Sequence, residues 1–265
     1  MHFLTVDRFY SQADKLRAEF DANFDDPLNM HAERFVWDYW HVPGEYTHLR
    51  TPAYNYFSSK LYTAFHRYLV MWGREHLGCH DISPPWLSCY VQGCRQEPHQ
   101  DKPHGPLAFV FSLSPKKRKF RGGETFIVKP RTLITPDFNR LTLFNPSLTH
   151  GVREVKGTFD PREGRLVMHG WFVNPRPFWI GPLTPSKVRQ ALDRGIAKTP
   201  FEILGPGFGA FRFKIGRDGR VKKAWTLMET FKHSARVKDL RPYWSEYDFG
   251  KLRGPATLTL PLRID

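Results

Sequence analysis

Between Trp86 and Val173 the chain carries a succession of short segments rich in β-branched and aromatic residues: WLSCYVQG, LAFVFSL, ETFIVKP, RLTLFNP and RLVMHGWFV. Pro, Gly and Asn separate them. Several strands at such intervals predict an all-β sandwich or barrel rather than alternating β and α units. No internal repeat is visible. Upstream, two helical patterns precede this region. YSQADKLRAEFDA (10–22) spaces Leu16, Ala18 and Phe20 as one side of a helix, with Ser11 as its expected cap. SSKLYTAFHRYLVMWGREH (58–76) repeats Leu61, Phe65, Leu69 and Trp72 every three or four positions, and Gly78 closes it. Both are expected to buttress a sheet.

Downstream, six prolines fall between Pro175 and Pro206, with SKVRQALDRGI as a single helical pattern among them, and this stretch reads as a connector. FRFKIGRDGRVKKAW then alternates around an Asp218-Gly219 turn, a hairpin signal. A helical stretch near 234–242 and the strand ATLTLPLRI complete a small ββαβ unit.

Composition narrows the class. Hydrophobic residues make up 40% of the 265 and aromatics 15%, enough for a substantial core. No apolar run approaches the roughly 20 residues of a membrane span. The opening MHFLTVDRFYSQADKL lacks the features of an export signal, so the expected location is cytoplasmic. Three cysteines (Cys79, Cys89, Cys94) at spacings that match no zinc ribbon or finger are expected to be reduced thiols. Residues 1–100 hold 9 Lys+Arg against 12 Asp+Glu, and residues 101–265 hold 31 against 14, so the charge runs from −3 to +17. This asymmetry favours an anionic partner or substrate. Its densest run, PKKRKFR (115–121), leads into Gly122-Gly123 and is expected to be a solvated hairpin tip rather than a nucleic-acid patch.

The chemistry centres on EPHQDKPHG (97–105). His99 and Asp101 are one residue apart, so on a strand both side chains point the same way. Two imidazoles and one carboxylate on a single face hold iron(II) with positions left open. A second imidazole must come from a distant strand, and NRLTLFNPSLTHGVREV supplies His150 after a strand-like run. In GRLVMHGWFV, Arg165, Val167, His169 and Trp171 share one face. An arginine facing a barrel interior is costly to bury unless it meets an anion. A dicarboxylate would meet it in a bidentate pair.

Tyr90, Gly93, His99-Gln100-Asp101, Gly122-Gly123-Glu124-Thr125-Phe126, His150-Gly151-Val152 and Arg165…Gly170-Trp171-Phe172 occur in that order. Residues 86–175 thereby resemble the iron(II)/2-oxoglutarate-dependent dioxygenase superfamily, in its prolyl 4-hydroxylase-like branch. The resemblance implies a mainly β fold, a double-stranded β-helix (jelly-roll) with flanking helices, and places the small ββαβ module after it. The expected division is 1–180 for the dioxygenase domain, 181–207 for the Pro-rich connector and 208–265 for the module.

It also implies Fe(II) held by His99, Asp101 and His150, with 2-oxoglutarate and O2 as cosubstrates. Arg165 matches the anchor of the distal carboxylate of 2-oxoglutarate, and Tyr90 a tyrosine that hydrogen-bonds the cosubstrate. Arg153 and Arg162 fall in the same longer gap after His150; the distance to Trp171 fits Arg165 and not Arg162. His104 is expected at the mouth, Cys89 in the core and Glu124 on an exposed strand position. His169 either lines the pocket or packs beside Trp171.

The implied reaction is hydroxylation of a C–H bond of a peptidyl or amino-acid side chain, with release of succinate and CO2. An AlkB-like nucleic-acid demethylase would carry a second arginine six residues after the first, where this chain has Trp171. A non-catalytic binding protein would have no use for the intact triad. Residues 208–265 resemble the C-terminal domain of TonB-like proteins, which implies a possible protein-partner role for that module. Selectivity is expected in loops 38–57, 102–106 and 114–122, with the aromatic-rich 37–57 as a candidate lid.

Overall fold

The structure is a computed structural model, and it describes residues 3–25, 38–101 and 104–264. Trp37, Lys102 and Pro103 of the expected mouth loops lie outside the described residues. The chain divides into two compact units: residues 4–69 with 82–172, and residues 1–3, 70–81 and 173–265.

The chain order begins β1 (Phe3–Val6), α1 (Ala13–Asp25), β2 (Asp38–Val42), β3 (Tyr46–Pro52), α2 (Ala53–Tyr56), α3 (Ser59–Leu77) and β4 (Cys79–Ile82). It continues with β5 (Trp86–Tyr90), β6 (Arg95–His99), β7 (Leu107–Ser112), β8 (Thr125–Ile127) and β9 (Thr132–Ile134). Then come β10 (Leu141–Phe144), β11 (His150–Val152) and β12 (Arg165–Pro175). All five segments that read as strands are strands.

In the larger unit the sheet runs β10-β7-β12-β5-β3-β6-β11-β8-β9, with β2 paired to β3. Among the described residues these pairings are antiparallel, and the order is far from sequential, as in a curled jelly-roll-like sheet. Its core is aromatic. Phe65 of α3 is fully buried and stacks on Phe111 of β7 at 4.9 Å, and Leu16 and Phe20 of α1 are equally buried. Each such side chain contributes about 1.5–3 kcal/mol of burial. Both helices therefore buttress the sheet, although Ala18, expected on the same side as Leu16 and Phe20, is exposed, because a two-residue step on a helix turns it away from that face.

Register brings the chemistry together. His150 of β11 lies opposite His99 of β6 and Ile127 of β8, while Arg165 of β12 lies opposite Tyr90 of β5. The turn before β8 requires glycine. Gly122 and Gly123 have φ of +75° and +73°, and a Cβ on Gly122 would sit 1.9 Å from the Glu154 carbonyl oxygen. The basic run that leads into this turn is a surface bend: Lys116 pairs with Asp14 at 2.7 Å and Lys119 with Glu163.

The smaller unit contains β13 (Phe178–Ile180), α4 (Pro185–Lys198), β14 (Gly207–Ile215), β15 (Val221–Glu229) and β16 (Ala256–Ile264). Its sheet order is β13-β16-β14-β15. The Asp218-Gly219 turn joins β14 to β15. The helical stretch expected near 234–242 is a 3-10 helix over Ser234–Glu246, and Pro242 lies inside it. Proline removes a donor and crowds the preceding turn, so an α-helix cannot run through it. Val188, Ala191 and Leu192 of α4 are buried with Phe211, Phe213, Trp244 and Tyr247 in this unit's core.

Candidate metal centre

His99, Asp101 and His150 each offer one ligand atom, and those atoms all lie within 4.8 Å of one another. Asp101 Oδ1 is 3.4 Å from His99 Nε2, and Oδ2 is 3.3 Å from His150 Nε2. The backbone fixes both rings. His99 Nδ1 donates to the Glu97 carbonyl at 2.9 Å, and His150 Nδ1 to the Leu148 carbonyl at 2.8 Å. With Nδ1 protonated, each neutral ring turns its Nε2 lone pair towards the carboxylate. Three acceptors facing one another at this range repel unless a cation sits among them.

Where that cation is a proton, titration shifts accordingly. Burial opposes charging of His99, yet the Asp101 carboxylate and the Glu97 carbonyl hold it above its ordinary value. Burial would raise the Asp101 carboxyl, and the hydrogen bonds from His150 and His99 outweigh it and pull it well below the usual range.

Behind the triad is an inner cavity of about 110 Å³ lined by Tyr90, Thr125, Arg165, Val167 and His169 among others. Arg165 is 2% exposed. Its Nη2 donates to Thr125 Oγ1 at 3.2 Å, while Nε and Nη1 are buried with no hydrogen-bond partner. The Tyr90 ring covers its guanidinium at 4.6 Å. Burial lowers the Arg165 pKa. Arg162 is elsewhere, paired with Asp160 at 2.7 Å, and Arg153 is half-exposed, 3.7 Å from Glu124. Glu124 is half-buried rather than exposed. Cys89 is fully buried on the other face. His169 bonds Ser88 Oγ at 2.8 Å, and burial, helped by Arg165, pushes it down to about 3, so it lines the cavity as a neutral ring.

The cavity opens into a mouth of about 860 Å³ lined by Tyr46, His48, Arg50, Trp86, His104 and Trp171, among others. His104 packs against Trp171 with ring centroids 4.4 Å apart and is not within the ligand cluster. Sequence reasoning passed over His48, Arg50 and Gln96. Gln96 Nε2 lies 3.1 Å from His99 Nε2. His48 and Arg50 are two apart on β3, a periodicity that would have marked them as one face.

The chain's resemblances agree with this site. Residues 85–173, about a third of the chain, match the family model of the 2OG-Fe(II) oxygenase superfamily. The segment that carries the site is therefore of 2OG-Fe(II) oxygenase type, a family of enzymes. Among solved structures, a prolyl hydroxylase from Trichoplax adhaerens in complex with a hypoxia inducible factor peptide fragment is similar at 15% identity. It covers 65% of this chain and 83% of its own, with a TM-score of 0.47. A Pseudomonas putida prolyl-4-hydroxylase shares 16% identity over 66% of this chain and 94% of its own, at 0.47. An oxidoreductase of the 2OG-Fe(II) oxygenase family from Burkholderia pseudomallei shares 14% over 66% and 89%, at 0.49. No curated protein sequence matches the chain.

Proposed function

We propose that the protein is an iron(II)- and 2-oxoglutarate-dependent dioxygenase that hydroxylates a C–H bond of a peptidyl or amino-acid side chain. One observation carries the reading: two imidazoles locked by their Nδ1 bonds and one carboxylate converge on a point beside a buried arginine with two unpartnered nitrogens. The donor set fits iron(II), because three N/O ligands on one side leave positions for cosubstrate and oxygen. The orphaned Nε and Nη1 of Arg165 fit a carboxylate, which a guanidinium meets through two parallel hydrogen bonds.

When bound, iron(II) with 2-oxoglutarate and O2 supplies the oxidising power, and the keto acid leaves as succinate and CO2. The residues supply position. Arg165 fixes the distal carboxylate and Thr125 steadies its Nη2. Tyr90 covers one face of the guanidinium and, being 2% exposed, keeps water from it. Neutral His169, held by Ser88, adds no competing charge. The mouth, at about 860 Å³, has room for a side chain with part of its backbone. The peptide or amino-acid substrate is the one implied by the resemblance of residues 86–175 to the prolyl 4-hydroxylase-like branch. Three buried free cysteines suit a reducing, cytoplasmic setting.

The test is an anaerobic titration of apo-protein with iron(II) and 2-oxoglutarate, following the visible charge-transfer absorption of the chelate. Wild type should develop the band and His150→Ala should not. A folded, iron-replete wild type without the band would remove the dioxygenase reading.

A further inference from the structure

Two uncharged side chains line the mouth without being metal ligands. His48 of β3 is 3% exposed, and both of its ring nitrogens are buried with no hydrogen-bond partner among the described residues. Aromatic neighbours hold the ring: it stacks on Tyr90 at 5.0 Å and lies 5.6 Å from Tyr46. With the ring held in this way, what it offers a ligand is its edge. Burial, then His169, Arg50 and Arg165 nearby, pushes His48 down to about 3 and keeps it neutral. A neutral imidazole carries one N–H and one lone pair, and both are costly when left unmatched in a buried place.

Gln96 of β6 is the second. It lines both the mouth and the inner cavity, and its Nε2 donates to His99 Nε2 at 3.1 Å. His99 Nδ1 is bonded to the Glu97 carbonyl, so Gln96 meets the one lone pair that His99 has for a metal. Register sets the two groups near each other. Gln96 pairs with Tyr46, and His48 is two residues further along the same face of β3. Diagonal neighbours of this kind are about 7–8 Å apart, a gap that one polar ligand spans.

We propose that His48 and Gln96 form a subsite that hydrogen-bonds an uncharged amide of the substrate beside the metal centre. The inference rests on the dioxygenase reading and deepens it, because it names the group that the mouth recognises. Once His99 Nε2 serves as a metal ligand, Gln96 loses its partner there and its carboxamide is left for the substrate. An amide carries a donor and an acceptor, as do the neutral imidazole and the Gln96 carboxamide. A carboxylate only accepts, and it leaves the His48 lone pair unmatched. An ammonium only donates, and it would lie among the same cations that hold His48 neutral. The amide has two sources, the peptide backbone next to the reacting residue or a side-chain carboxamide.

Anaerobic calorimetry on protein loaded with iron(II) and 2-oxoglutarate separates them. One arm sets N-acetyl amino acid N-methylamides (proline, leucine, phenylalanine) against the matching methyl esters, which keep the shape and lose the N–H. The other sets blocked asparagine and glutamine against the side-chain methyl esters of blocked aspartate and glutamate. In at least one arm the amides should bind at least tenfold more tightly than the esters. His48→Phe and Gln96→Met should each cut that preference at least fivefold, and His48→Gln, which keeps a donor and an acceptor, should retain part of it. His48→Phe should also melt at or above the wild-type temperature, because the nitrogens it removes have no partner in the fold. The proposal is overturned if no amide exceeds its ester in either arm, or if either variant leaves the preference intact. An intact preference with lower melting of His48→Phe would make that residue structural. The proposal is also overturned if His48→Phe weakens 2-oxoglutarate as much as Arg165→Met does, which would make His48 a cosubstrate ligand. Each of these results leaves the chelate band of wild type intact, whereas failure of the dioxygenase reading removes the band itself.

Discussion

At the residue scale the site is a set of charges that must be completed from outside. A proton competes for the place where a metal would go, because the carboxylate neighbour raises His99 after burial is overcome. A group raised in the fold adds stability that is full at low pH and lost as pH rises through its folded value. The metal competes for the same place, so its affinity should move the opposite way. Manganese(II), titrated at a series of pH values, should bind more weakly as pH falls through a midpoint above the ordinary imidazole value of 6.5. A midpoint below 6.5 would mean that Asp101 does not hold the proton on His99. Arg165 makes a second prediction. A buried cation with two unpartnered nitrogens contributes no stability of its own, and replacing buried charge with a well-packed apolar side chain is neutral or stabilising by about 1–4 kcal/mol. Arg165→Met should therefore melt at or above the wild-type temperature while 2-oxoglutarate affinity falls at least tenfold. A lower melting temperature would make the residue structural.

At the element scale, β11 is wedged between β6 and β8, and Gly151 is what allows it. A Cβ there would lie 2.5 Å from the Gln96 carbonyl oxygen and 2.6 Å from the Phe126 ring. The backbone of β6 would have to shift, and His99 is three residues along it. Gly151→Ala should cost about 1–3 kcal/mol in denaturant unfolding and lower metal affinity at least tenfold. Equal metal affinity would show that the β6–β11 spacing does not set the triad. This wedge also explains what the sequence could disclose. His99, Asp101 and His150 were legible because a one-residue gap and a strand-like run preceding His150 are local signals. Arg165 was legible through the alternation of a single strand. His48 and Arg50 were not. Their two-residue spacing marks one face of a strand, but β3 lies between β5 and β6 in space and some forty residues earlier in sequence, so the spacing does not say which site that face meets. Its aromatic surroundings read equally well as a lid or as packing. The stretch near 234–242 reads as helical, and Pro242 inside it is what the type of helix turns on.

At the scale of the whole molecule, the smaller unit is discontinuous in sequence, and the last two turns of α3 belong to it. Glu75 is near the C-terminus of α3, where carbonyls lack intrahelical partners. Thr259 Oγ1 of β16 donates to its carbonyl at 2.7 Å, and Arg212 Nη2 of β14 donates to the same oxygen. Gly78, in the left-handed region at φ +67°, ends the helix, and a Cβ there would lie 2.7 Å from Pro261 Cδ. Strands from the end of the chain thus cap the end of α3 within the smaller unit. Deleting residues 207–265 would remove both donors to Glu75 together with most of the core around Trp244 and Tyr247. It would leave the end of α3 uncapped and α4 with an exposed apolar face, the kind of patch that drives association. The shortened chain should therefore melt at least 10 °C below the full-length protein or elute as aggregate on size exclusion. Nicking the intact protein within 199–207 should leave the fragments co-eluting, because the strands remain packed on the helix they cap. A shortened chain that stays monomeric, with unchanged melting and metal binding, would show that β14–β16 form an appendage whose role is entirely outside the fold of the metal centre.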